Sequence, residues 1–247
     1  MQCVHRTSRD WDYSQIVTNF GSQPRTFGLV VGLGVGAGIF YYKELVDAHL
    51  ALGLSPRLLM VHADVRRVMN HAAAREVHPL ARYLAGLLGQ LARGGAEMAS
   101  IPAFSPQVCA TELGAITPLP LINVLDAISA EVKSRQLRRV ALFGARVTME
   151  TQLFGRLQDV DVVTARPEEV DRIAAIYVRV VEEAQASDDD YNALRSLAHT
   201  LIEREKLDAI VFAGTDLAFV FDPANTDFPH LDGARVHIKA IMSELVR

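Results

Sequence analysis

Two stretches of this chain end alike 111 positions apart, and that repetition constrains the fold more than any other feature. One reads Ala99-Ser-Ile-Pro-Ala103-Phe104-Ser105-Pro106, the other Ala209-Ile-Val-Phe-Ala213-Gly214-Thr215-Asp216. Each is an apolar run that stops at small and hydroxyl residues. Other landmarks recur at nearly the same offset. Gly28-Leu-Val-Val-Gly32 matches Val140-Ala-Leu-Phe-Gly144, and Leu119-Pro-Leu-Ile122 echoes Phe228-Pro-His-Leu231. A period this long means two equivalent units, because solenoid repeats are far shorter.

Within each unit, apolar runs alternate with helical periodicity, the mark of a parallel sheet with crossover helices. Strands are expected at Gly28–Leu33, Arg57–His62, Met98–Pro102 and Leu119–Val124, then at Arg139–Phe143, Val160–Thr164 and Asp208–Ala213. Helices are expected at Ile39–Leu52, Ala73–Arg93, Pro167–Ala184, from Ser187 to Lys206, and at Asp232–Val246. The expected class is therefore α/β, with two pseudo-symmetric parallel-sheet α/β domains and a cleft between them. Residues 1–26 read as a polar tail, 27–124 plus 230–247 as the first domain, and 125–229 as the second. Ligands of open parallel sheets lie beyond the carboxyl ends of the strands, which directs attention to the two matched strand ends.

Composition removes several function classes. A net charge of −4 offers no broad phosphate-neutralising surface, so no nucleic-acid partner is expected. The longest uncharged run, Thr26 to Tyr42, is short and Gly-rich for a membrane span, and residues 1–26 lack an apolar signal core. No membrane partner and a cytoplasmic location are the expectations. Cys3 and Cys109 alone supply neither a disulfide framework nor a zinc pattern. His62 and Asp64 end a strand, but two residues do not make a metal site, and none is expected.

Gly32-Leu-Gly34-Val-Gly36-Ala37 fits the spacing of a dinucleotide fingerprint. The acid that should follow about 20 residues later is not at the end of the next strand, which carries Arg57 and then His62. A dinucleotide-dependent oxidoreductase thus stays as a weaker alternative. The favoured role of this turn is to bind a smaller anion, such as a carboxylate, through backbone N–H groups of Gly34 and Gly36.

From about Thr26 onward the chain resembles the aspartate/glutamate racemase superfamily. The opening turn with Tyr41-Tyr42-Lys43 is similar to that family's first strand and helix. Ile101-Pro-Ala103-Phe104-Ser105-Pro106-Gln107 resembles I-x-C/A-N-T-x-H, and Leu142-Phe-Gly144-Ala145-Arg146-Val147-Thr148-Met149-Glu150 resembles L-G-T-x-x-T-M-E. Val211-Phe-Ala213-Gly214-Thr215-Asp216-Leu217 resembles I-L-G-C-T-E-L, and Asp232-Gly-Ala-Arg-Val-His237 resembles D-x-T-x-x-H. The resemblance implies two α/β domains around a cleft, no cofactor, and a homodimer. It also implies proton transfer at a Cα by two cysteines acting from opposite faces.

Both cysteine positions are replaced, by Ala103 and Gly214. Cys109 lies inside the following helical segment and reads as a buried structural thiol. What the resemblance retains is a carboxylate cradle: Ser105, Thr148 and Thr215 as hydroxyl ligands, with Gly34, Gly36, Ala103, Phe104 and Gly214 lining the substrate position. Arg146, like Lys43, is a candidate partner for a second substrate carboxylate, with an exposed surface charge as the alternative. Asp216 and His237 are the candidates for moving a proton. The expected function is a cofactor-free isomerase or lyase that binds a small carboxylic acid and passes through an enolate-like intermediate. Loss of a cysteine with the cradle kept also resembles the arylmalonate-decarboxylase type. A carboxylate-binding protein without turnover is the second reading.

Overall fold

A computed structural model describes residues 24–247. The tail expected at 1–26 and Cys3 therefore fall almost wholly outside the described residues. The first unit begins with β1 (Phe27–Val31), α1 (Val35–Ala51), β2 (Leu58–His62), α2 (Val65–Ala73), α3 (Val77–Arg93) and β3 (Met98–Ser100). A short 3-10 turn (Ser105–Cys109), α4 (Ala110–Ile116) and α5 (Val124–Ser134) follow. The second unit runs through β4 (Arg139–Gly144), α6 (Arg146–Glu150), β5 (Asp161–Val163), α7 (Pro167–Glu183), α8 (Asp188–Glu205) and β6 (Ala209–Ala213). A second 3-10 turn (Thr215–Phe219), β7 (His230–Asp232) and α9 (Gly233–Leu245) close the chain.

The two sheets have orders β2-β1-β3 and β5-β4-β6-β7, with every pairing parallel. Leu121 forms an isolated parallel bridge to Ala99 beside β3. That bridge is the reduced counterpart of β7 beside β6, so the duplication read from the sequence extends to strand order. The expected strand Leu119–Val124 shrinks to this one bridge. β7 also shows that residues 230–232 join the second sheet, which corrects the domain boundary placed at 230.

Central strands are covered on both faces by helices, which is why they read as unbroken apolar runs: β1 is Phe-Gly-Leu-Val-Val and β6 Ala-Ile-Val-Phe-Ala, the latter buried throughout. The helix after each fourth strand crosses to the other unit. Val124, Leu125 and Ile128 of α5 pack into the core of the second sheet. Ala234, Ile238, Ile241 and Met242 of α9 pack with Phe27, Leu29, Tyr41 and Leu45 of the first. This exchange binds the units together and brings the carboxyl ends of both sheets toward each other.

The helix expected at Ala73–Arg93 begins at Val77, and α2 before it is not among the expected helices. Ala73–Arg93 is interrupted where Arg75 takes the left-handed conformation (φ 53°), and Asp64 caps the preceding α2 by accepting from the amides of Arg66 and Arg67 at 2.9 and 3.2 Å. Asp64 is thereby a helix cap, the role its carboxylate performs best at that position.

Candidate functional site

β3 and β6 are pseudo-equivalent strands; β6 passes through Gly214 into its 3-10 turn, and β3 reaches its own after Ile101-Pro-Ala-Phe104. At the end of β6, Gly214 leads into Thr215 and Asp216, both only 2% exposed. The turn points the Asp216 carboxylate across the junction at the start of α1 in the other unit. Its Oδ1 accepts a hydrogen bond from the Ala37 amide at 3.2 Å, and the Thr215 hydroxyl donates to its Oδ2 at 3.2 Å. Gly34 permits this approach, since a Cβ there would lie 3.0 Å from Oδ2. A helix N-terminus favours a carboxylate. Burial opposes it and prevails: desolvation pushes the Asp216 carboxyl up to about 6, against hydrogen bonds from Thr215, Ala37 and Tyr177 that favour the anion. A buried carboxyl in this range exchanges a proton near neutral pH.

Tyr177 of α7 joins this cluster, and the sequence does not single it out. Its ring lies against Gly214, and its hydroxyl faces Thr215 and Asp216. In the sequence it belongs to the apolar face of α7, with Val170, Ile173, Ala174 and Val180, where the periodicity reads simply as core. No local signal separates it from its neighbours.

The end of β3 is different. Ala103 and Phe104 are buried, and Phe104 points into the core of the second sheet. Gln107 donates to the Ala103 carbonyl at 2.9 Å and accepts from Asn123 Nδ2 at 2.8 Å. It thus ties the strand end to the residue that caps α5, since Asn123 also accepts from the Leu125 amide. Ser105 opens the turn without capping it through its side chain. Cys109 is wholly buried, donates to the Pro106 carbonyl, and has its thiol pushed up to about 12 by burial. A thiol so held is protonated and inert.

The remaining candidates divide. Thr148 is fully buried, and its hydroxyl is without a hydrogen-bond partner among the described residues. Gly36 packs against the Phe219 ring, behind Asp216. Arg146 lies on the surface, bonded to Glu150 and Asp171, and Lys43 is paired with Asp47. Both cations are paired with carboxylates of this chain on its surface. His237 corrects an expectation. It is fully buried, with its ring against Ser100, the last residue of β3. Its Nδ1 meets the Tyr41 hydroxyl at 3.0 Å, and its Nε2 meets Ser100 Oγ at 2.8 Å and the Ile122 carbonyl at 3.0 Å. A neutral ring protonated on Nε2 satisfies all of these contacts. Desolvation pushes His237 down to about 4, which keeps it neutral. With both nitrogens occupied, it positions α9 and has no free atom to move a substrate proton.

The dinucleotide alternative meets a physical obstacle here. The α1 amide that would face a pyrophosphate is bonded to Asp216, and the carboxylate lies against Gly34. A second anion at that seat meets like charge once Asp216 ionises. Among the described residues, no group of three His, Cys, Asp or Glu side chains is placed to hold a metal ion, and no helix is long and apolar enough to cross a membrane.

Known proteins share this fold. The Asp/Glu/Hydantoin racemase family model matches residues 30–241. Among solved structures, a candidate Asp/Glu racemase from Yersinia pestis superposes with a TM-score of 0.78 at 21% identity, covering 90% of this chain and 100% of that one. An aspartate racemase homologue from Pyrococcus horikoshii OT3 gives 0.75 at 19% identity, covering 90% and 99%. The glutamate racemase of Francisella tularensis, solved with D-glutamate, gives 0.64 at 14% identity, covering 90% and 81%. At these identities the structures speak for the fold, and the family match spans most of the sequence. The chain belongs to the Asp/Glu/Hydantoin racemase family.

Proposed function

We propose that this protein binds a small carboxylic acid at the meeting of the two strand ends and moves a proton at its α-carbon without cysteine and without a cofactor. The observation that carries this reading is the placement of Asp216. It is the one candidate whose carboxyl sits at a strand end, hydrogen-bonded across the junction, with a proton affinity near neutrality. As a carboxylate it takes the α-proton, and the electron pair of that C–H bond enters the substrate as an enolate. The hydroxyls of Thr148 and Ser105 supply donors for the developing charge, while that of Thr215 holds Asp216. Asp216, now protonated, returns the proton to carbon. In a decarboxylating variant of the same chemistry, CO2 departs, the bonding pair stays on carbon, and protonated Asp216 quenches it.

The other strand end offers Ala103 and Phe104, with no ionisable group, and the amide of Gln107 is committed to the backbone and Asn123. Proton delivery from Asp216 alone is one-sided. Such a site exchanges the α-hydrogen with retention, or yields one enantiomer, where two opposed bases would racemise. Incubation with a panel of amino, 2-hydroxy and malonic acids in D2O, followed by NMR and chiral chromatography, tests this. Deuterium incorporation that is lost in Asp216→Asn, without racemisation, is the expected result. Racemisation as fast as exchange overturns it.

A second reading, a carboxylate binder without turnover, is favoured by the absence of a thiol at both 103 and 214. Thermal stabilisation by one of these acids, with no exchange in any of them, would select it.

A further inference from the structure

The geometry points to Tyr177 as the residue that takes over the space of the missing side chain at 214 and, from there, positions the Asp216 carboxyl for proton transfer. This rests on the reading of Asp216 as the proton-moving group.

Gly214 has φ −154° and ψ 121°, extended backbone open to any residue, so its conformation does not call for glycine. Its surroundings do. A Cβ at 214 would lie 2.4 Å from Tyr177 Cε2, 2.8 Å from Cζ and 3.1 Å from Cδ2, inside the face of the ring. The contact is with a ring held by α7, not with the free end of a flexible chain. Glycine at 214 and tyrosine at 177 therefore form one packing unit, and no side chain at 214 fits while the ring is there. Gly214 adjoins Thr215 and Asp216, so the same placement brings Tyr177 beside the Asp216 carboxyl, whose charged form its hydroxyl favours. Burial holds the phenol itself well above its ordinary range, so it remains a donor at neutral pH.

The other groups around Asp216 are accounted for. From α1 come the Ala37 amide and, at longer range, the buried Tyr41 phenol. From α9, which also packs on this turn, Arg235 is engaged with Glu44 and Asp232, and His237 with Tyr41 and Ser100. Tyr177 is thus the α7 contribution to the carboxyl's environment. It acts through Asp216 and is a positioning residue.

Two measurements test the pairing in the full chain. The first is a carbon-13 NMR titration of the Asp216 carboxyl in Tyr177→Phe, which keeps the ring and removes the hydroxyl. Loss of a hydrogen bond to the charged form should raise the midpoint by about one pH unit. An unchanged midpoint overturns the positioning role. The second is a melting-temperature cycle. Gly214→Ala should melt several degrees lower when Tyr177 is present, and close to its parent in a Tyr177→Ala background. Equal losses in both backgrounds overturn the shared-space argument. Neither readout requires turnover. If Asp216→Asn retained full exchange activity, the proposed function would fall while these two results would still decide the role of Tyr177.

Discussion

The ends of β3 and β6 are copies of one another in topology and opposites in chemistry. Beyond β6 stand Thr215 and Asp216 with Tyr177 over Gly214, a cluster of hydroxyls around one buried carboxyl. Beyond β3 stand Ala103 and Phe104, with Gln107 spent on the Ala103 carbonyl and on Asn123. Duplication delivers two strand ends to one junction, but it does not oblige both to keep ionisable groups. In the proposed reaction one end would supply the proton chemistry and the other the shape. The asymmetry follows from burial: an ionisable side chain in such a place needs partners, and only the β6 end has them.

Exchange of the two roles by mutation should break this contrast, and Asp216→Asn is the severest case. It should lower deuterium exchange by at least about a hundredfold, the usual scale for loss of a general acid or base. Circular dichroism should show the fold intact. If exchange survives, the β6 end is not the reactive one.

The same substitution should alter stability with pH. Asp216 has its proton affinity raised on folding, from an ordinary 3.8 to about 6, so folding favours its protonated form. Its stabilisation is complete below about pH 4 and is lost as pH rises through 6. His237 is lowered from 6.5 to about 4, so its contribution is present above pH 6.5 and is lost as pH falls toward 4. The two oppose each other in the wild type. Asp216→Asn should be the more stable protein at pH 7, by up to about 3 kcal/mol. It should also lose stability more steeply between pH 6.5 and 4, where His237 acts alone. Urea unfolding at a series of pH values measures both.

The β3 end should respond in stability and not in proton chemistry. Gln107→Ala removes the link from Ala103 to Asn123 and leaves a partly buried amide unpaired. The expected cost is about 1–3 kcal/mol in urea unfolding. The midpoint of the Asp216 titration should not move. A shifted midpoint would mean the two ends are electrostatically coupled.

The smallest effects are expected outside both ends. Arg146→Ala breaks a surface ion pair with Glu150 and Asp171, and melting temperature and exchange rate should stay within error. Iodoacetamide should leave Cys109 unmodified in the native state and activity unchanged, because the thiol is buried and protonated. Inactivation through Cys109 in a folded protein would return sulfur to the mechanism.

How far the sequence could be read depended on the range of the interaction. The strand ends, the twofold repeat and Asp216 beside Thr215 are written in contiguous residues, and strand cores covered on both faces leave unbroken apolar runs. His237 was legible as a polar residue on the last helix but not as one with both nitrogens occupied, because Tyr41, Ser100 and Ile122 come from other parts of the chain. β7 was missed because three residues of a strand carry little periodicity.

The sequence alone determined the α/β class, the duplication and the absence of a side-chain thiol at 103 and 214, since these are properties of local pattern and residue identity. Only the tertiary structure decided that α5 and α9 exchange between units, that Ala37 donates to Asp216, and that Tyr177 covers Gly214. Those contacts join residues far apart along the chain, and packing chooses among many partners that a linear pattern leaves equally open.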